Sequence, residues 1–519
     1  MPLAPRRTLL ASTLLVLASA LAVHGAPAPS VPLVPADPAV VGAWSTPQVW
    51  PVQAIAAAVL PTGKVLALSD SKNVVLWDPA DGTLVPKPIS TDVDIVCSGL
   101  AMLPDGRVLA NGGHTEGTEI WNGIRASFVF DPAAEAWSRV ADMATPRYYP
   151  ATVTLADGRA LTVNGNDGDG VDPKDAEVWD GTAWHPMPGV TPPMEFYPRL
   201  HVLPGGRLVR TGQDPEAAFL DPVSGTWTTG PASVAGRRWG GTSVLLPGLD
   251  RVLVFGGGNA GLSSEGHGET PLLRDSVQRI VGNLTDAAAY GPTGATASTE
   301  ILDLRGAAPA YRSVGSLTLP RRDLAGVVLA DGGVLALGGA AGFEPYPGWN
   351  DVAFQPELFD LATERWSLMA PAERTRGYHS TAVLLPDGRV LFAGGDFELA
   401  RGTAALPLDH TGEVYSPPYL FRGPRPVVSG APGAVSYGGS FSVRTSGAPV
   451  ARAALVRLSS TTHSLNTDQR WVGLDATVAN GLLRLRAPAD PGAAPPGYYL
   501  LFALSDRGVP SVASIVRLG

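Results

Sequence analysis

LLPDGRVLFAGG, Leu384–Gly395, reads as two short apolar strands closed by an Asp-Gly turn. The same phrase recurs along the chain. The copies are VLPTGKVLALSD (Val59–Asp70), MLPDGRVLANGG (Met102–Gly113), TLADGRALTVNG (Thr154–Gly165), VLPGGRLVRTG (Val202–Gly212), LLPGLDRVLVFGGG (Leu245–Gly258) and VLADGGVLALGG (Val328–Gly339), which makes seven in all. A second phrase follows each turn: VVLWDP, FVFDP with AWS, AEVWDG with AW, AFLDP with TW, EILDL, ELFDL with RWS, and EVYSP. It supplies a third strand and, in most copies, a fourth that carries tryptophan.

Four strands in a repeat of roughly 40–50 residues resembles the kelch type of β-propeller. The expectation is an all-β chain: a seven-bladed kelch-type propeller followed by a C-terminal immunoglobulin-like β-sandwich. The seventh repeat lacks a fourth strand, and an orphan Trp44-Ser45 precedes the first. Val41–Trp50 is therefore expected to close the last blade, since an open ring would leave edges unpaired. The fifth repeat carries an insertion, Asn259–Ser298. After Pro417 the phrase stops, and alternating runs such as FSVRT, AALVRL, LLRLRAP and YYLLFAL take over. The divisions that follow are a signal peptide at 1–26, a Pro/Ala-rich linker at 27–40, the propeller at 41–423 and the sandwich at 424–519.

Composition agrees with many strands and turns. Charged residues make up only 16%, against 61 glycines and 49 prolines, which disfavours a helical protein. A net charge of −9 without a basic stripe gives no support for nucleic-acid binding. Arg6-Arg7 followed by the apolar run Thr8–Val23 and small residues reads as an export signal, so the mature chain is expected to be secreted, extracytoplasmic and free of a membrane span. A monomer is expected. Cys97 is the one cysteine of the 519-residue chain, so no internal disulfide can form. It is an inert buried thiol, an intermolecular partner, or a residue committed to chemistry.

SSTTHSLNTDQR, Ser459–Arg470, follows the apolar ALVRL and reads as a hairpin tip rather than core, with His463 at its centre. Cys97, Tyr149 and His379 each lie eight residues before the Asp of their turns, and Tyr378 lies nine before Asp387. Equivalent strand positions sit at one height on a ring. If this strand is innermost, the four side chains gather at one mouth of the axis, and His463 can join them from the second domain. Two imidazoles, tyrosine oxygens and a thiol suit a copper site. Each also has a bland reading, as propeller packing, a structural Tyr-His pair, a small core residue or a solvated loop.

Together these residues resemble the copper-radical oxidases, galactose oxidase and glyoxal oxidase. The likeness is strongest in SSTTHSLNTDQR, RGYHSTAVLLPDGRV, DIVCSGLAMLPDGRV and GVPSVASIVRL. The resemblance implies copper held by Tyr149, Tyr378, His379 and His463, with Cys97 joined to Tyr149 as a thioether that hosts a radical. It implies that Tyr149, Cys97 and Tyr378 are catalytic, with Tyr378 as general base. The implied reaction is two-electron oxidation of a small aldehyde (as its hydrate) or a primary alcohol, with O2 reduced to H2O2. Asp167 stands where galactose oxidase stacks a tryptophan over the thioether, and Trp121 and Trp239 are the substitutes the sequence offers. About 15 residues separate the signal from the propeller, leaving no room for the sugar-binding domain of galactose oxidase. Small substrates are expected over galactose. The alternatives are a galactose-oxidase-type sugar alcohol oxidase and a non-catalytic kelch binding protein of the cell surface.

Overall fold

The computed structural model describes residues 37–114, 122–167, 175–187, 189, 196–258, 295–341, 352–395 and 409–519. The export signal, most of the linker, Trp121 and all but the last four residues of the 259–298 insertion lie outside the described residues. Among the described residues no helix is long and apolar enough to cross a membrane.

Seven antiparallel sheets are built from the seven turn phrases, and each phrase forms the inner two strands of its blade. The inner strands are Ala56–Val59, Gly99–Met102, Ala151–Thr154, Arg199–Val202, Thr242–Leu245, Ala325–Val328 and Ser380–Leu384. Every residue of these seven strands is buried. From Gly99–Met102 round to Ala56–Val59 each inner strand touches the next, and the hairpin strand Ser460–Thr462 contacts both Ala56–Val59 and Gly99–Met102. The outermost strands, such as Ala136–Arg139 and Arg365–Leu368, are half-exposed. The gradient explains the sequence: near-continuous apolar runs at the axis, alternation and a single tryptophan at the rim.

Blade seven takes its outer edge from the start of the chain. Ala43 and Trp44 pair with Ser416 and Tyr415, and Gln48 and Val49 pair with Gly412 and Thr411. The Trp44 indole N–H donates to the Ala370 carbonyl at 2.8 Å, fixing the strap to the neighbouring strand connection.

Four blades share a buried rivet. Arg147–Glu177, Arg238–Glu300, Arg321–Glu357 and Arg376–Glu413 pair with both side chains at most 1% exposed. The carboxylates also accept backbone N–H groups, as Glu177 does from Ala144 and Thr145. The ion pair is thus completed by hydrogen bonds, the condition under which a buried pair is tolerated.

The C-terminal strands form one eight-stranded path from Pro426–Ser429 to Ala434–Val435. One hairpin leaves it. Ser460–Thr462 and Leu465–Asn466 join blade one instead, with Ala56, Ala57 and Ala58 paired to Thr462, Thr461 and Ser460.

Candidate metal and radical centre

The hairpin is a tip, as its sequence suggests, but a buried one. His463 and Ser464 are the two turn residues, with φ of 47° and 66°. Two successive left-handed residues match a type I′ hairpin turn, a place that usually takes Asn-Gly. His463 is only 5% exposed. The polar run survives in the axis because the inner strands have free backbone edges there. Asp468 accepts from Met102 N–H at 2.9 Å, Thr467 donates to Thr152 O at 2.7 Å, and Gln469 bridges Val328 N–H and Gly326 O at 2.9 and 2.8 Å. Arg470 reaches Val202 O at 3.1 Å, and Thr242 donates to Ser464 O at 2.8 Å. The segment therefore satisfies backbone groups of blades two, three, four and six and accepts from a side-chain hydroxyl of blade five, besides pairing with blade one.

The propeller presents its own residues by a shared backbone device. The residue eight before each turn position begins the inner strand in the left-handed region: Cys97 (φ 57°), Tyr149 (63°), Tyr197 (49°), Gly240 (68°), Asp323 (58°) and His379 (59°). Blade one has Ala54 at this station. Glycine suits such a conformation best, and five of the six carry a bulkier side chain at a cost.

The five side chains singled out in the sequence converge here. One donor atom each from Cys97, His379 and His463 falls within a 4.8 Å cluster. Cys97 Sγ lies 3.3 Å from His463 Nε2, and His463 Nδ1 lies 2.6 Å from Thr462 Oγ1. The Tyr149 and Tyr378 hydroxyls are 2.6 Å apart. The His463 ring lies 4.7 Å from the His379 ring at 84° and 5.2 Å from both tyrosine rings. Burial, then the neighbouring His379 and Arg199, hold the His463 imidazole well below its usual pKa, so it is neutral and keeps a lone pair. Burial, with the adjacent Cys97 thiol, pushes the Tyr149 hydroxyl well above the usual phenol range. An opposing cation would reverse that preference and favour the phenolate. Tyr378 and His379 remain half-exposed, so the mouth opens on their side.

Three residues of the centre escaped the sequence reading. Among the described residues the ring stacked on Tyr149 is Phe196, at 5.3 Å and 25°. Trp239 instead lies under the Arg322 guanidinium, 4.2 Å from the ring centroid. Tyr197 stacks on His463 at 4.7 Å and 26°. Asp323 occupies the blade-six station, with Arg322 Nε donating to its carboxylate at 3.2 Å. The repeat offset would have found Tyr197 and Asp323, since each lies eight residues before its turn position, Gly205 and Asp331.

Comparison with known proteins accords with this arrangement. Residues 425–518 match the galactose oxidase-like early set domain. The chain is 28% identical to galactose oxidase from Gibberella zeae over 506 residues, covering 92% of this chain and 70% of that protein. It is 29% identical over 505 residues to the aldehyde oxidase GLOX of Vitis pseudoreticulata, covering 88% of each. Along most of its length the chain resembles the copper-radical oxidases. Among solved structures, a fungal alcohol oxidase in complex with copper superposes with a TM-score of 0.76 at 24% identity, covering 92% of this chain and 99% of that one. At that identity the likeness speaks for the fold.

Proposed function

We propose that the protein is a secreted copper-radical oxidase that oxidises a small aldehyde hydrate or a primary alcohol and reduces O2 to H2O2. The observation that carries the reading is the convergence of Cys97, His379 and His463 donor atoms within 4.8 Å, beside two tyrosine hydroxyls 2.6 Å apart. Two imidazoles, one of them the buried neutral His463, and two phenol oxygens form a donor set that fits copper. Tyr149, Tyr378, His379 and His463 would hold it. Bound there, copper would supply Lewis acidity and one of the two electron-accepting centres.

The chain's own residues supply the rest. Cys97 and Tyr149 are proposed to form a thioether: the S–H and an ortho ring C–H are lost, a C–S bond forms, and two electrons and two protons pass to dioxygen. The linked Tyr149 ring then stores an oxidising equivalent as a radical and takes a hydrogen atom from the substrate carbon. Phe196, flat against that ring, keeps water from its face. Tyr378 is the general base. Its hydroxyl sits within hydrogen-bond reach of the centre and on the open side of the mouth, where a substrate hydroxyl proton can be received. The His463 ring is oriented by Thr462 through Nδ1, which leaves Nε2 directed at Cys97.

The test is copper binding and peroxide release. Purified chain is expected to bind one copper, and the His379→Ala/His463→Ala double variant to lose it. Glyoxal-type aldehydes or small primary alcohols are expected to exceed galactose in kcat/KM. Stoichiometric copper in the double variant would refute the site. A preference for galactose would restore the sugar-oxidase reading.

A further inference from the structure

We infer that Tyr197 is a positioning residue for His463 and that its stacked ring sets the plane of that imidazole. The inference starts from the six left-handed stations at the mouth. Blade five places Gly240 there, which adopts φ 68° freely. An aromatic residue at φ 49° pays a steric cost that glycine avoids, and persists only where its surroundings over-determine it. Of the five costly stations, Cys97, Tyr149 and His379 are accounted for by the proposed centre. Tyr197 is not, yet it is buried at 3% exposure and bound on every side.

Its contacts say what it does. The Tyr197 ring lies flat on His463 at 4.7 Å and 26°, whereas the rings of Tyr149, Tyr378 and His379 meet that imidazole edge-on at 67° to 84°. It is the one face-to-face partner among these four. Its hydroxyl donates to the Ser98 carbonyl at 3.1 Å, so the ring is tied to the residue after Cys97. Its N–H donates to the Tyr149 carbonyl at 3.1 Å, and Arg199 donates to its carbonyl. The Tyr149 ring braces it edge-on at 5.0 Å. One residue thus refers the imidazole from the C-terminal hairpin to the backbone of the two blades that carry Cys97 and Tyr149. The polar tether on the far nitrogen of His463 is Thr462, which leaves rotation about that bond to be stopped by the stacked ring. Groups that orient a metal-binding histidine typically change metal affinity 10- to 100-fold when removed.

The metal arm of the test rests on the copper reading; the other arm does not. In copper-free chain with histidine Cε1 labelled, the His463 resonance is expected upfield through the ring current of Tyr197. Tyr197→Leu should move it toward the value of an unstacked histidine, and Tyr197→Phe should leave it near the parent position. In the copper-loaded chain, Tyr197→Leu is expected to bind about tenfold or more weakly, with an altered Cu(II) EPR spectrum, while Tyr197→Phe stays close to the parent. An unmoved His463 resonance in a folded Tyr197→Leu chain overturns the inference, as does parent copper affinity with an unchanged EPR spectrum. Should the leucine variant not fold, Tyr197→Met, unbranched and similar in bulk, is judged by the same two readouts. A parent chain that binds no copper would refute the proposed function, and the resonance arm would still decide the role of Tyr197.

Discussion

Replacing Asp468 by alanine should loosen the hairpin that carries His463. Asp468 is 2% exposed and accepts from Met102 N–H at 2.9 Å and from the Ser460 hydroxyl, while Arg457 Nε faces its second oxygen at 3.4 Å. Removing one partner of a buried ion pair costs about 3–5 kcal/mol. Here Arg457 keeps the carbonyls of Pro495, Pro496 and Met102 at 2.7, 3.0 and 3.1 Å, which puts the cost at the lower end, about 3 kcal/mol. A unit running from Asp37 to Gly519 has an unfolding entropy of about 1 kcal/mol/K, so the melting temperature should fall by about 3 °C. Burial pushes the Asp468 carboxyl above its usual pKa, so the charge is held at a cost that asparagine does not bear. Asp468→Asn also keeps an acceptor for Met102 N–H and should cost about 1 kcal/mol. Scanning calorimetry on copper-free chain measures both. An alanine variant that melts with the parent, or an asparagine variant worse than alanine, would refute the claim that Asp468 anchors the hairpin.

Acid stability should depend on His201, whose pKa burial and the nearby Arg470 and Arg199 lower from 6.5 to about 3. The unfolded chain then binds the extra proton first, so stability is complete above about pH 6.5 and falls toward pH 3, by up to about 1.4 kcal/mol per pH unit. His201→Asn should flatten that share of the slope in denaturation midpoints taken between pH 7.5 and pH 5; equal slopes would contradict it. Deleting Val41–Trp50 should expose the edge of Thr411–Ser416 and remove Trp50, which is 2% exposed; loss of such a side chain costs about 3–5 kcal/mol. Calorimetry should show a lower melting temperature and light scattering should show association through the bared edge, whereas a truncated chain that melts like the parent and stays dispersed would break the closure account.

The architecture was written in local chemistry. Asp-Gly turns between apolar runs fix both hairpin and register, so seven copies announce seven blades, and the orphan Trp44-Ser45 points to its missing place in blade seven. The offset from each turn also located Cys97, Tyr149, Tyr378 and His379, because repeat geometry turns sequence spacing into height on the ring. Tyr197 and Asp323 shared the offset but were passed over, since the resemblance that gave the other stations their roles assigns none to these two. Phe196 was illegible for a different reason. Which ring lies flat on Tyr149 depends on the angle between blades three and four, and no local phrase encodes that angle. The burial of SSTTHSLNTDQR was hidden likewise. A run of hydroxyls and amides looks solvated until its partners, the free edges of inner strands such as Met102, Thr152 and Val328, are known to surround it.

The central claim is that one cysteine and one tyrosine of this chain become a single redox group. Protein matured with copper and oxygen should be digested and its peptides mapped beside copper-free chain. The account predicts that the Cys97 and Tyr149 peptides run as one species, two hydrogens lighter than their sum and resistant to reductants, since a thioether is not a disulfide. Copper-free chain should give the two peptides separately, and Cys97→Ala should lose both the link and turnover. A free, alkylatable Cys97 in fully active, copper-loaded protein would contradict the radical centre outright.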